Sequence, residues 1–306
     1  MADDLRLATQ TEAPGALRPN IVSGRRRLRL AWLGTLPFFA YALAFLFVPA
    51  GEVMVGAFKG THGGATLHHV RETLHQPYLH EYWLTIKVSL ITAAGGAVLG
   101  LLIAYAAIRE GTPRFIRTAL TTFAGVAANF AGIPLAFAFI ATLGTIGVAT
   151  SFMRDHLGYD PYAHGFTLFG ETGVEIVYLY FQIPLMILVI APAIDGLRRE
   201  WREASSNLGA SSFQFWRYVG LPILMPSILG AFILLFGNSF SAYATAYGLT
   251  GGGLPLIPIT IGYYYTGNVL SDPHLAQALA FGMFVVLAVM MLLYIPLQRR
   301  TARWMR

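Results

Sequence analysis

Residues able to do chemistry are scarce in this sequence. Cysteine is absent from all 306 positions, which removes thiol catalysis, disulfides and Cys-ligated metal. Five histidines, His62, His68, His69, His75 and His80, share one polar stretch. Imidazole is a good metal ligand, but their spacing is irregular and no acidic cluster accompanies them, so they read as ordinary loop histidines. The only lysines are Lys59 and Lys87. Neither stands in the G-x-x-x-x-G-K-[ST] frame that cradles phosphates, so this chain is expected to bind no ATP and no other cofactor itself. No paired acids, H-E-x-x-H or G-x-S-x-G occur in the apolar segments, which argues against an intramembrane enzyme. Glu52, Lys87, Glu175 and Asp195 fall near the ends of apolar segments. Ion-coupled transporters usually carry such groups within the membrane, so that class is also disfavoured.

What remains is uncharged. Asn238, Ser241 and Thr245 recur at i, i+3 and i+7, with Tyr243 and Tyr247 alongside. Polar groups in lipid are costly unless partnered. The stripe therefore lines a water-filled path or hydrogen-bonds a neighbouring helix, and the spacing leaves both readings open. Asn129 and Gln182 are weaker candidates of the same kind. Gly96 and Gly100 form a GxxxG, read as a packing notch.

The elements that must carry these residues follow from composition. Hydrophobic residues make up 56% of the chain and charged residues 12%, against about 25% charged in soluble domains. Mean hydropathy is +0.58. The apolar residues gather in runs near 31–56, 83–108, 115–145, 173–195, 221–247 and 277–298. Each is long enough to cross a core of about 30 Å. The fold class is therefore all-α: a polytopic membrane protein with six transmembrane helices. Gly132 and Pro134 interrupt the third run, which is expected to tilt or break in two. Pro184 and Pro192 should kink the fourth. Residues 1–24 read as a disordered cytoplasmic tail, and 25–306 as one membrane domain. The run after Arg25–Arg29 is too long for a usual signal peptide and lacks a clean cleavage site, so it reads as an uncleaved first helix.

The net charge of +6 is a topology signal and not a nucleic-acid signal. With a cytoplasmic N-terminus, one face collects seventeen of the 21 basic residues, in groups around Arg25–Arg29, Arg114, Arg199 and Arg299. Lys59, Lys87, Arg71 and Arg154 are left for the other. The positive-inside tendency then places both termini in the cytoplasm. The tyrosines Tyr263–Tyr265 are expected at the membrane interface, where amphipathic rings are favoured.

One cytoplasmic connector, residues 200–222, stands out. It reads Glu203-Ala204-Ser205, three residues, Gly209, nine residues, then Val219-Gly220-Leu221-Pro222. Trp201, Ala204 and Leu208 share one helical face, and Phe213 and Trp216 form a second apolar pair. Gly209 permits a turn that a Cβ would hinder, and Pro222 suits the first turn of the next helix. The physical expectation is two short amphipathic helices joined at a glycine; the bland alternative is an inert connector.

This segment resembles the EAA loop of the inner-membrane permease subunits of bacterial binding-protein-dependent ABC importers, the MetI-like type I family. That pattern is E-A-A, three residues, G, nine residues, I-x-L-P. Glu203, Ala204, Gly209, Leu221 and Pro222 match at the right spacing, while Ser205 replaces the second Ala and Val219 replaces Ile. The resemblance implies a type I importer permease fold in the bacterial inner membrane. It implies that Glu203, Ala204, Ser205, Gly209, Leu221 and Pro222 couple to a cytoplasmic ATPase dimer, which holds the ATP and Mg. It further implies an extracytoplasmic solute-binding protein and a second, related permease subunit, this chain being half of the pore. General similarity points to the branch importing polyamines, ferric iron or phosphonates, with polyamine first.

Overall fold

The computed structural model describes residues 34–60, 64–108, 112–266 and 272–302. The tail 1–24, the arginine run 25–29 and His62 lie outside the described residues. The chain divides into two units, Met1–Glu52 and Val53–Arg306. Helix α1, Gly34–Gly56, begins in the first and ends in the second. It contains a π turn at Leu43–Phe47, and its large side chains such as Phe38 and Phe45 are exposed.

In the second unit the elements are α2 His68–Glu72, α3 Tyr78–Ile108, α4 Arg114–Asn129, α5 Ile133–Leu143, α6 Val148–Leu157 and α7 Glu171–Asp195. There follow α8 Arg199–Asn207, α9 Ser212–Phe240, α10 Ala244–Thr250, α11 Ile257–Thr266 and α12 Pro273–Ala302. No strand occurs among the described residues. Among the described residues, six helical stretches are long and apolar enough to cross a membrane: Gly34–Gly56, Tyr78–Ile108, Ile133–Leu157, Glu171–Asp195, Ser212–Phe240 and Pro273–Arg299.

The third run breaks in two, as Gly132 and Pro134 led one to expect, but the bounds of two spans need correction. Gly132 adopts φ 77° and ψ −152°, and Pro134 lacks the donor a continuing helix needs. The chain therefore stops at Asn129 and restarts at Ile133, and the apolar span shifts to Ile133–Leu157. The run 221–247 also ends early, at Phe240, and resumes as α10 after Ser241–Tyr243. Helix α7, by contrast, stays helical through Pro184 and Pro192.

The core forms where α3, α7 and α9 meet. Lipid gives helices no hydrophobic reason to associate, so close approach through small residues must hold them. The GxxxG notch supplies it: a Cβ on Gly96 would stand 2.7 Å from Gln182 Cβ, and one on Gly100 2.5 Å from Met186 Cβ. Met186, Ile190, Leu235, Phe236 and Phe240 fill the space behind. Thr92 Oγ1 and Ser239 Oγ hydrogen-bond across it at 2.8 Å. Helix α4 packs on α7 and an Arg117–Asp195 ion pair ties them. Lys87 Nζ pairs with Glu171 Oε1 at 2.6 Å, so two of the charges at helix ends are neutralised between neighbouring helices.

Candidate functional site

The connector folds as a helix, a glycine turn and a second helix. At the end of α8 the Ala210 N–H donates to Ser205 O at 3.0 Å, and the Gly209 N–H to Ser206 O at 2.9 Å. This paired closure of a helix C-terminus needs a left-handed residue, and Gly209 supplies it at φ 78°. Ser205 therefore contributes its carbonyl, which the replacement of Ala by Ser leaves intact. On the far side Ser211 caps α9: its Oγ accepts from the Gln214 N–H at 3.2 Å, while Gln214 Oε1 accepts from the Ser211 N–H at 2.7 Å. This capping box is a spacing signal that the sequence reading passed over.

Pro222 does not open a new helix. Helix α9 runs unbroken from Ser212 to Phe240, with a π turn at Trp216–Gly220 immediately before Leu221 and Pro222. The Leu221 N–H reaches back to Trp216 O. A π turn relieves the clash a proline makes with the preceding turn, so the second connector helix is rigidly continuous with a membrane span. Trp216 Nε1 donates to Tyr105 Oη at 3.3 Å and its ring meets Tyr105 edge-on. A movement of the connector is thus mechanically joined to both α9 and α3.

The outer face of the connector is apolar and uncovered. Leu208 is 88% exposed and Phe213 72%, with Trp201 beside them at 37%. A cleft of about 550 Å³ runs between Trp201, Leu208, Gln214 and Tyr218. Glu203 Oε1 accepts from Arg199 Nε at 2.8 Å on the exposed side of α8. Ala204 is exposed as well.

The polar stripe divides. Because α9 ends at Phe240, Asn238, Ser241 and Thr245 do not share one helix face. Asn238 Nδ2 stands 3.5 Å from Gln182 Oε1, and Gln182 Nε2 donates to Leu235 O at 2.7 Å. Ser241 Oγ donates back to Gly237 O at 2.9 Å. Thr245 is buried and its Oγ1 accepts from the Gly132 N–H at 2.7 Å. This bond joins the first interruption, 130–132, to the first turn of α10, just past the second interruption at 241–243. Gly248 lies against Ile133 and Ala136, and Tyr178 Oη donates to Ala242 O at 2.7 Å. Tyr243 and Tyr247 remain partly exposed and stack, with ring centroids 5.4 Å apart. Asn129 bonds its own helix at Gly125 O.

Sequence reasoning missed a second polar row, Thr85, Ser89 and Thr92 on α3. Each donates to its own helix backbone. Thr85 Oγ1 also accepts from the Ile257 N–H at 3.0 Å, and Thr260 Oγ1 donates to buried Glu81 Oε2 at 2.6 Å. The i, i+4, i+7 spacing was the available signal.

A family model described as "Binding-protein-dependent transport system inner membrane component" matches residues 96–306, the region holding both the hinge and the broken helices. The chain belongs to this family. Its members are transporter permease subunits of the inner membrane. A probable sulfate transport system permease protein from Helicosporidium sp. subsp. Simulium jonesii is 25% identical over 215 residues, covering 69% of this chain and 73% of that one. The thiamine transport system permease protein of Escherichia coli K12 is 29% identical over 115 residues, covering 38% of this chain and 21% of the other. A crystal structure of a bacterial ABC transporter involved in import of the acidic polysaccharide alginate shares the fold. Its TM-score is 0.70 at 20% identity, covering 90% of this chain and 96% of that chain.

Proposed function

We propose that this permease subunit forms half of the translocation pathway for a small organic cation, with a polyamine as the first candidate. The two helix interruptions mark the pathway wall. Transporters commonly bind solute where spans are discontinuous, because irregular backbone is tolerated only beside protein or water. The observation that carries the reading is the exposed, stacked pair Tyr243–Tyr247 next to the 241–243 break. Aromatic faces attract ammonium groups by about 0.5–2 kcal/mol each. Thiamine, named for one relative, is itself an organic cation.

In this reading the connector docks on a separate cytoplasmic ATPase through Trp201, Leu208 and Phe213, and that ATPase holds the nucleotide and Mg. Glu203 sets the charge of the docking face. A second, related permease chain completes the pore, and an extracytoplasmic binding protein delivers solute. The seventeen basic residues on one side set both termini and the connector in the cytoplasm.

The test is uptake of labelled spermidine by vesicles carrying the assembled transporter. Tyr243→Ala should lower uptake at least tenfold with the subunit still at wild-type level in the membrane. Saturable uptake of sulfate, ferric ion, phosphonate or maltodextrin in place of spermidine would overturn the polyamine reading and leave the importer reading standing. Unchanged spermidine uptake in Tyr243→Ala would remove the tyrosine pair from the pathway.

A further inference from the structure

Two histidines of the stretch that looked inert in sequence, His68 and His69, come together with Glu72 in a cluster once folded. His68, His69 and Glu72 of α2 each offer a donor atom, and these atoms lie within 4.8 Å of one another. His69 is 5% exposed, and its Nδ1 is a buried nitrogen with no hydrogen-bond partner. Buried polar atoms are nearly always partnered, so an orphan calls for an explanation. That nitrogen stands 3.9 Å from Glu72 Oε2 and 4.0 Å from Asp272 Oδ2. His68 Nδ1 is 3.8 Å from the same Glu72 oxygen.

Asp272 comes from the other end of the unit, just before α12. Its Oδ1 accepts from the Leu275 N–H at 3.0 Å, which caps α12 and leaves Oδ2 turned toward His69. The His274 ring stacks on His69 with centroids 6.0 Å apart. Fixing ligands through a second layer of contacts is the usual support of a metal site. Donors on one tetrahedral zinc, each at about 2.1 Å, stand about 3.4 Å apart. The three pairs at 3.8 to 4.0 Å exceed that by about half an ångström, and the His68, His69 and Glu72 set extends up to 4.8 Å, so the side chains must close by up to about 1.4 Å to bind. A cavity of about 910 Å³, lined by Phe58, Thr66, His68 and Glu72 among others, opens beside the cluster and gives an ion a route in.

We propose that His68, His69, Glu72 and Asp272 bind a divalent transition-metal ion of the zinc type. Two imidazoles and two carboxylates suit such an ion, and four protein donors make a closed, structural site. The ion would join α2 to the start of the last span, fixing the segment between α1 and α3 against α12.

The test uses the full chain purified in detergent, stripped with a chelator and then titrated with Zn²⁺ alone. One saturable Zn²⁺ per chain is expected by calorimetry and by elemental analysis after dialysis. Bound Co²⁺ should show the visible bands of a tetrahedral ion. Glu72→Gln and His68→Ala change partly or fully exposed side chains and leave the fold standing; each should weaken Zn²⁺ binding at least tenfold. His75→Ala, which lines the cavity outside the cluster, should bind as wild type. No stoichiometric Zn²⁺ in the wild type, or equal binding in Glu72→Gln and His68→Ala, would overturn the proposal.

Discussion

Gly209→Pro should reduce solute uptake more than tenfold while the subunit stays folded and inserted. Gly209 sits at φ 78°, whereas proline is held near −65°. The substitution also deletes the N–H that donates to Ser206 O, so the turn cannot close and α8 must re-aim its apolar face. Gly209→Ala separates conformation from bulk. A Cβ there meets nothing within 4 Å, so only the left-handed backbone is penalised, by about 1–2 kcal/mol, and partial uptake should survive. Glu203→Lys breaks an exposed pair with Arg199 worth about 0.3–0.5 kcal/mol to the fold. Any large loss of uptake in that variant would reflect docking and not stability. The signature in each case is less ATPase recovered on purification of the subunit, with the isolated ATPase unchanged. A maleimide that cannot cross the membrane should label Ser205→Cys from the ATPase side alone. Full uptake by Gly209→Pro would return the segment to an inert connector.

Gly132→Ala should be nearly as damaging, for a different reason. The pair φ 77°, ψ −152° lies in a region that residues with a Cβ scarcely enter, at about 1–3 kcal/mol of strain. Space is not the obstacle, since the nearest atom to a Cβ is Ala244 Cβ at 3.7 Å. Relaxing the strain would turn the Gly132 N–H away from Thr245 and separate the first interruption from α10. Thr245→Val, which keeps the shape but removes the acceptor, leaves that N–H unpaired at about 1–3 kcal/mol. It should lower uptake in the same direction, and Thr245→Ser should restore it. Gly125→Ala, in an open position within α4, should transport normally and serves as the control. Wild-type uptake in Gly132→Ala would show that the bond between Gly132 and Thr245 does not matter to transport.

The parts of the fold that were legible in sequence are those set by local chemistry. Five of the six spanning stretches follow from run length, the third having moved to Ile133–Leu157; the GxxxG notch follows from residue size, and the connector turn from a glycine between two amphipathic segments. Gly132 and Pro134 announced the first interruption. The second was hidden, because Ser241-Ala242-Tyr243 contains neither Gly nor Pro, and its break is closed by partners far along the chain, among them Tyr178 and Gly132. That is why Asn238, Ser241 and Thr245 looked like one stripe yet fall in α9, in the interruption and in α10. Pro222 misled in the opposite sense: a proline that usually begins a helix is absorbed by a π turn, which leaves no mark in the sequence. The histidine cluster was invisible because its fourth candidate donor, Asp272, lies two hundred residues from His69.

In the proposed function, transport through this subunit is driven by an ATPase on another chain. It is tested most directly by uptake into proteoliposomes holding the assembled transporter and its binding protein, with the energy source varied. Uptake is expected only when ATP and Mg are supplied on the connector side, abolished by vanadate and indifferent to collapse of proton and sodium gradients. Solute accumulation driven by a proton or sodium gradient without ATP would contradict it.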